Sequence, residues 1–182
     1  FGAGYGSYST NVPGGRSGYS GASRGYLNSE YSARPRGGFG GGGLMATLGD
    51  LVQFAGMWAQ GGAWKGTRIL GRATIDLMRK NHLSSLALED FRMMARQSYP
   101  WYQGYGWGLA GRTLIDPQAA GSNGSIGEFG WCGATGPYLL ADPERQLGIA
   151  YAQQTSPVIG GMQDYCHPRV RNAVYSLLEE WD

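Results

Sequence analysis

Leu48, Leu51, Val52, Ala55 and Ala59 recur at intervals of three and four residues, behind Thr47 and Asp50 and ahead of Gly61-Gly62. That spacing puts apolar side chains on one helical face, with Thr47 and Asp50 as a variant capping box and the glycines as a stop. A second short helix is predicted over "GRATIDLMRKNH", with Ile75 and Met78 on one face, and a third over "LALEDFRMMARQ". From Tyr105 the pattern becomes strand-like. "YGWGLA", "TLID", "PYLLAD" and "LGIAYAQQ" are apolar runs separated by Gly, Asn and Asp-Pro turn signals. The last two, joined by "PERQ", predict an antiparallel hairpin. "HPRVRNAVYSLLEEWD" predicts a closing helix with Val170, Val174, Leu177 and Leu178 on its inner face. Helices on one side, an antiparallel meander and a final packing helix define an α+β class.

Composition divides the chain. Residues 1–43 are Gly, Ser, Tyr and Arg with few aliphatics, and bury too little apolar surface to offset their ordering entropy. They read as an extended arm or loop, and residues 44–182 as the folded domain. A formal net charge of +2 over 182 residues does not demand nucleic acid or an anionic membrane as partner. The positive charge is local, with Arg16, Arg24, Arg34 and Arg36 set against Glu30 alone. No apolar run approaches the eighteen or so residues of a spanning helix. Cys132 and Cys166 are compatible with a disulfide or with two free thiols. A first residue that is Phe rather than Met reads as a processed chain or a fragment, with an organellar or extracytoplasmic compartment as the expectation.

Several motifs invite chemistry. "GASRG" around Ser23 matches Gly-x-Ser-x-Gly, but lacks the strand before and the helix after that make a nucleophile elbow. "GFGGGG", Gly38 to Gly43, fits a dinucleotide fingerprint without the leading strand or the later acid, and reads as a turn. His82, His167, Cys132 and Cys166 are too scattered for a zinc site, so neither metal nor cofactor is expected. His82 reads as the cap or follower of a helix end, and Asn123 in "NGS" as a glycine-rich turn unless the chain is secreted. Tyrosine and arginine in the first 43 residues can stack on unpaired bases, so RNA binding is an alternative to a docked arm.

Four blocks occur in a telling order: "GGGGLMATLGDLVQFAGMWAQGG"; "GTRILGRATIDLMRKNHL"; "GYGWGLAGRTLIDPQAAGSNGSIGEFGWCGATGPYLLADPERQLGIAYAQQ"; and "VRNAVYSLLEE". Together they resemble the C-terminal half of the serine β-lactamase-like superfamily, especially its class C, esterase and penicillin-binding-protein-like members. The resemblance implies a partial domain of that fold, without the region of the nucleophile helix. It also implies an active site shared between an upstream Ser-x-x-Lys helix, a Tyr-x-Asn-like loop, and a sheet-edge strand carrying Lys-Thr-Gly, His-x-Gly or Trp-x-Gly. Here the strand element is "WCG", Trp131, Cys132 and Gly133, and the resemblance makes the amide of the next residue, Ala134, one of two oxyanion donors. The alternative is a tight sheet edge without chemistry.

The other two elements do not follow. The lysines are Lys65 and Lys80, and the residues three before them are Gly62 and Leu77, so the chain contains no Ser-x-x-Lys. "YLN", Tyr26 to Asn28, lies too close to the glycine block to match the family's loop. A serine without an adjacent base is a poor nucleophile, and half an oxyanion hole stabilises little. The expectation is a chain that is inactive alone. It serves either as a structural or assembly subunit with a protein partner, or as the C-terminal chain of an ester- or amide-cleaving hydrolase whose serine lies elsewhere. Strand alternation sets Trp131 and Gly133 opposite Cys132, and predicts Trp131 beside a cleft or partner rather than inside this domain's own core.

Overall fold

The computed structural model describes residues 46–133, 136–153 and 162–178. The arm with its Ser23, Tyr26–Asn28 and Gly38–Gly43 motifs, and the RNA-binding reading attached to it, lie outside these residues, as does Ala134.

Helix α1 spans Leu48–Ala59 and starts as its capping box requires. Thr47 Oγ1 accepts from the Asp50 amide at 3.1 Å, and the Asp50 carboxylate accepts from the Thr47 amide at 3.0 Å. A small hairpin of β1, Ala63–Trp64, and β2, Thr67–Arg68, follows. Its two-residue strands are too short for a periodic signal. Helix α2 covers Arg72–Met78, and His82 closes its end by donating from Nε2 toward the Leu77 carbonyl at 2.9 Å. Helix α3, Ser85–Ser98, is capped by the Ser84 hydroxyl and leads into a 3₁₀ turn at Pro100–Tyr102.

The main sheet contains β3 (Tyr105–Gly108), β4 (Gly111–Leu114), β5 (Phe129–Cys132), β6 (Tyr138–Asp142) and β7 (Leu147–Tyr151), with a short helix α4, Pro117–Ala120, between β4 and β5. All pairings are antiparallel and the order is sequential, a simple meander. Helix α5, Met162–Tyr175, completes the described fold.

Two apolar clusters occupy opposite faces of the sheet, as period-two alternation requires. Ala59, Ile75, Phe129 and Ala141 form one with α1 and α2. Cys132, Tyr138, Leu140 and Ile149 form the other with Ala95, the 3₁₀ turn and Tyr175. The first face allows very close approach because Gly148 has no side chain: a Cβ there would lie 2.7 Å from the backbone at Ala55 and Gly56.

Three expectations are corrected. In α1, Leu48 and Val52 are 46% and 43% exposed while Ala55, Met57 and Ala59 are buried. The helix meets the sheet at its small residues, Ala55 and Gly56, so closeness of approach rather than side-chain size decides the buried face. The last helix begins at Met162 and carries Pro168 inside it, and Leu177 lies past its end, 81% exposed. Val174 and Leu178 pack against the core as expected, but the most buried stripe is His167, Arg171 and Tyr175, spaced by four, which a search for aliphatic periodicity passes over. Finally, "WCG" belongs to the middle strand of five rather than to a sheet edge. Even so, the β4–β5 pairing covers only Thr113 with Phe129 and Arg112 with Gly130, so Trp131 and Cys132 extend beyond it.

Candidate active site

The candidate wall starts at β5. On its β6 side the strand is paired through Trp131 with Leu139 and Cys132 with Tyr138, so its backbone is fixed along its whole length. Its burial alternates at the end, with Phe129, Gly130 and Cys132 buried and Trp131 39% exposed. Trp131 is therefore not enclosed by its own domain.

Its ring is nonetheless held. Trp107 meets it edge-on at 4.8 Å, Tyr102 lies nearly parallel at 5.9 Å, and Trp101 is tilted at 6.0 Å. Trp101 and Tyr102 stack on each other at 3.8 Å, and Phe91 of α3 backs both Tyr102 and Trp107. Offset and edge-to-face packing of this kind fixes ring orientation as well as burying area. The product is an aromatic cluster that orients the Trp131 ring while leaving it 39% exposed.

Cys132 is buried, 7% exposed, in the same apolar cluster as Trp101 and Tyr102, the rings on which Trp131 packs. Burial pushes its thiol up to about 11, so it is protonated at neutral pH and no nucleophile. Both cysteines are free thiols.

After Cys132 the chain turns back into β6. The Gly133 amide donates to the Pro137 carbonyl at 2.9 Å, and the Gly136 amide donates to the Gly133 carbonyl at 2.9 Å. Gly136 has φ of 96°, which a side chain would disfavour. The carbonyl of Gly136 accepts from Nε2 of His167 at 2.8 Å. Burial drives that imidazole down to about 4, so it is neutral at physiological pH.

Behind the wall lies a polar core that sequence reading missed. Arg112, 2% exposed, sits over the rings of Tyr105, Trp101 and Tyr138 at 4.7, 4.9 and 5.0 Å. Glu128, the residue before β5, is 1% exposed and accepts from the Tyr105 hydroxyl at 2.7 Å. Arg171 donates to that same hydroxyl at 2.8 Å, and the Tyr175 hydroxyl donates to Asp142 at 2.7 Å while lying 3.2 Å from Glu128. Burial raises the Glu128 carboxyl above the ordinary range despite these donors. Such networks are costly unless satisfied, and this one ties β3, β5, β6 and α5 together. The one cue in the sequence is an isolated charge in an otherwise glycine and aromatic run, as in "GEFGW".

Among the described residues no group of three or more His, Cys, Asp and Glu side chains is placed to hold a metal ion. No described helix is long and apolar enough to cross a membrane. A cavity of about 430 Å³ between α1, α2 and the β6–β7 turn is lined by Arg72, Asp76, Arg79 and Glu144 among others, and does not include Trp131.

The fold has known counterparts. Protein Rv1367c of Mycobacterium tuberculosis (strain ATCC 25618 / H37Rv) is 31% identical over 120 residues, which is 64% of this chain and 29% of the relative. The uncharacterized protein MT1414 of M. tuberculosis (strain CDC 1551 / Oshkosh) matches to the same extent. Among solved structures, that of EstCE1, a hydrolase with promiscuous acyltransferase activity, superposes with a TM-score of 0.56 at 27% identity. The alignment covers 75% of this chain and 31% of EstCE1. The chain thus spans about three tenths of the length of the proteins it matches. The family model described as Beta-lactamase matches residues 3–164, taking in the glycine-rich stretch as well as the sheet. With the five-stranded antiparallel sheet and its helices, this places the chain in the Beta-lactamase family, within the serine β-lactamase-like superfamily.

Proposed function

We propose that residues 44–182 are the C-terminal, oxyanion-strand part of an acyl-transferring serine hydrolase of the esterase type. The nucleophilic serine and its base come from polypeptide outside this chain. One observation carries the reading: Trp131, past the last position where β4 pairs with β5, is held by three aromatic rings yet stays 39% exposed. An acyl group laid on the exposed part of that side chain would bring its carbonyl toward Gly133. Attack by a serine puts negative charge on the carbonyl oxygen, and the Ala134 amide is the donor this strand contributes. Neither metal nor cofactor is required. Trp131, Cys132 and Gly133 bear no charge, which suits a neutral ester or amide. The similarity to EstCE1, a hydrolase with promiscuous acyltransferase activity, supports the same class.

Treating the native preparation with a fluorophosphonate probe tests this. A labelled serine on polypeptide that contains or accompanies this chain is the expected result, and absence of labelling at saturating probe rejects it.

A second reading, an assembly subunit that is catalytically silent, is favoured by the large apolar side chains left in solvent. Phe54 is 44% exposed and Ile69 60%, besides Leu48 and Val52. Large exposed apolar patches mark contact surfaces. This reading predicts a stable companion chain without labelling, and a soluble monomer without a companion rejects it.

A further inference from the structure

The Tyr175 hydroxyl, at the end of α5, stands between two buried carboxyl groups. It lies 2.7 Å from Oδ2 of Asp142 and 3.2 Å from Oε2 of Glu128, residues that are 0% and 1% exposed. A phenol has one hydrogen to donate, and the shorter distance assigns it to Asp142. Two oxygens with no hydrogen between them repel. The approach of Oε2 to the Tyr175 oxygen therefore needs a second proton, and Glu128 is the group that can carry it.

The other donors divide the two carboxyls in the same way. Asp142 also accepts from the backbone amides of Ser125 at 3.0 Å, Glu144 at 3.1 Å and Arg145 at 3.3 Å, a set that suits an ionised group. Glu128 accepts the Tyr105 hydroxyl on Oε1 at 2.7 Å, whereas Oε2 has no donor beyond the one committed to Asp142. A Cβ at Gly124 would collide with Oε2, so backbone fills the space beside that oxygen. The nearby cations are engaged elsewhere. Arg171 donates to the Tyr105 hydroxyl, to the Ala120 and Gly121 carbonyls and to Asn172, and Arg112 donates to the Trp101 carbonyl. Neither forms an ion pair with Glu128 or Asp142. Tyr138, whose buried hydroxyl has no partner, faces Glu128 from β6, and Arg145 lies 5.9 Å from the Tyr175 ring.

We infer that Glu128, Tyr175 and Asp142 form a one-proton latch: at neutral pH Glu128 is a carboxylic acid whose Oε2–H donates to Tyr175, and Tyr175 in turn donates to the Asp142 carboxylate. The latch joins the residue that leads into β5 to β6 and to the last turn of α5, and it stands apart from the hydrolase reading. In alkali the Oε2–H bond breaks and the proton passes to hydroxide, which leaves two carboxylates about one phenol. One hydrogen cannot serve both and the like charges repel, so the end of α5 loosens from the sheet. Burial of the Glu128 carboxyl sets the same sign. The native state keeps this proton to higher pH than the unfolded chain does, so the latch is closed below the native value and opens as pH rises through it.

The test compares the wild type with Glu128→Gln in the native preparation. The glutamine amide places a permanent donor toward Tyr175 and leaves an oxygen for Tyr105, so the variant is a latch that cannot open. The first readout is the ¹³C spectrum of protein labelled at the glutamate carboxyls. At pH 7 one carbon should resonate as a protonated acid while exposed glutamates resonate as carboxylates, and that signal should vanish in Glu128→Gln. An ionised Glu128 at pH 7 overturns the assignment. The second readout is amide exchange, corrected for the pH dependence of the intrinsic rate. As the carboxyl loses its proton, amides in the last turn of α5 should exchange about tenfold faster in the wild type than in Glu128→Gln, and those of Leu140 and Ile149 should match in the two proteins. A proton lost without this difference, or one held until the whole protein unfolds, overturns the latch. Should Glu128→Gln not fold, the wild type alone decides: its Glu128 carbon, assigned through bonds, and its α5 exchange must change together, and separate transitions overturn the coupling.

Discussion

The guanidinium of Arg112 donates from Nη1 to the Trp101 carbonyl at 3.2 Å and also lies 4.9 Å from the indole of that residue. One buried cation therefore fixes both the backbone and the ring of a residue on which Trp131 leans. Because Tyr105 and Tyr138 offer their ring faces to the same guanidinium, its planar charge is spread over three π systems.

A lysine at this position keeps the charge but not the plane. Arg112→Lys should cost about 2 kcal/mol, as stacked arginines are poorly replaced by a strongly hydrated point charge. Urea unfolding checks the magnitude. Tryptophan fluorescence should shift as well, because Trp101 and Trp131 lose their fixed packing.

Trp131→Ala separates stability from function. With the ring 39% exposed, its removal should cost only about 1–2 kcal/mol of folding free energy. The loss in probe labelling, or in companion binding if the assembly reading holds, should be larger, about tenfold or more. A thermal melt beside a labelling time course measures both. Equal, small effects on the two would remove Trp131 from the site.

Cys132→Ser should not be silent. An exposed thiol would tolerate the change, but Cys132 is buried, and a hydroxyl there needs a partner it does not inherit. A cost of about 1–3 kcal/mol is expected, with Cys132→Ala milder. In the native protein a thiol reagent should modify the half-buried Cys166 well before Cys132, whose thiol is held up at about 11.

Acid should weaken the fold through His167. Its ordinary value of 6.5 falls to about 4 in the native state, so between these limits the unfolded chain binds a proton that the native ring refuses. Stability present above pH 6.5 is therefore lost as pH drops toward 4, by roughly 3 kcal/mol in all. Glu128 acts in the opposite sense. Its raised carboxyl keeps a proton that the unfolded chain releases above about 4.5, so its contribution declines as pH rises from there. Denaturant midpoints across this range should show a flatter acid limb in His167→Gln and the loss of the opposing trend in Glu128→Gln.

Much of this was legible along the chain. Thr47 and Asp50 announced the start of α1 because capping is a local interaction, complete within four residues. The β6–β7 hairpin was visible for the same reason: two alternating runs separated by "PERQ" can hardly do anything else. The order of blocks around "WCG" was enough to name the family. Alternation predicted opposite sides for Trp131 and Cys132, yet the Trp131 ring packs on Trp101 and Tyr102 of the cluster that holds Cys132.

What tertiary structure decided is the identity of the inner faces and of the groups that support the wall. Val170 and Leu177 had the spacing of a core stripe, yet His167, Arg171 and Tyr175 occupy it, because their partners Gly136, Tyr105 and Asp142 lie thirty to seventy residues earlier in the chain. Leu48 and Val52 lost their place to Ala55 and Gly56, since the gap left by Gly148 rewards small residues. Local periodicity records what a segment can bury against itself or water, whereas a buried charge is stabilised only by distant donors and rings that folding brings to it. Sequence by itself therefore determined the longer helices, most of the meander and, through the family resemblance, the strand that forms the candidate wall, while the β1–β2 hairpin, the 3₁₀ turn and α4 were too short to read. Only the packed structure determined that an arginine, a glutamate and a histidine stand behind it.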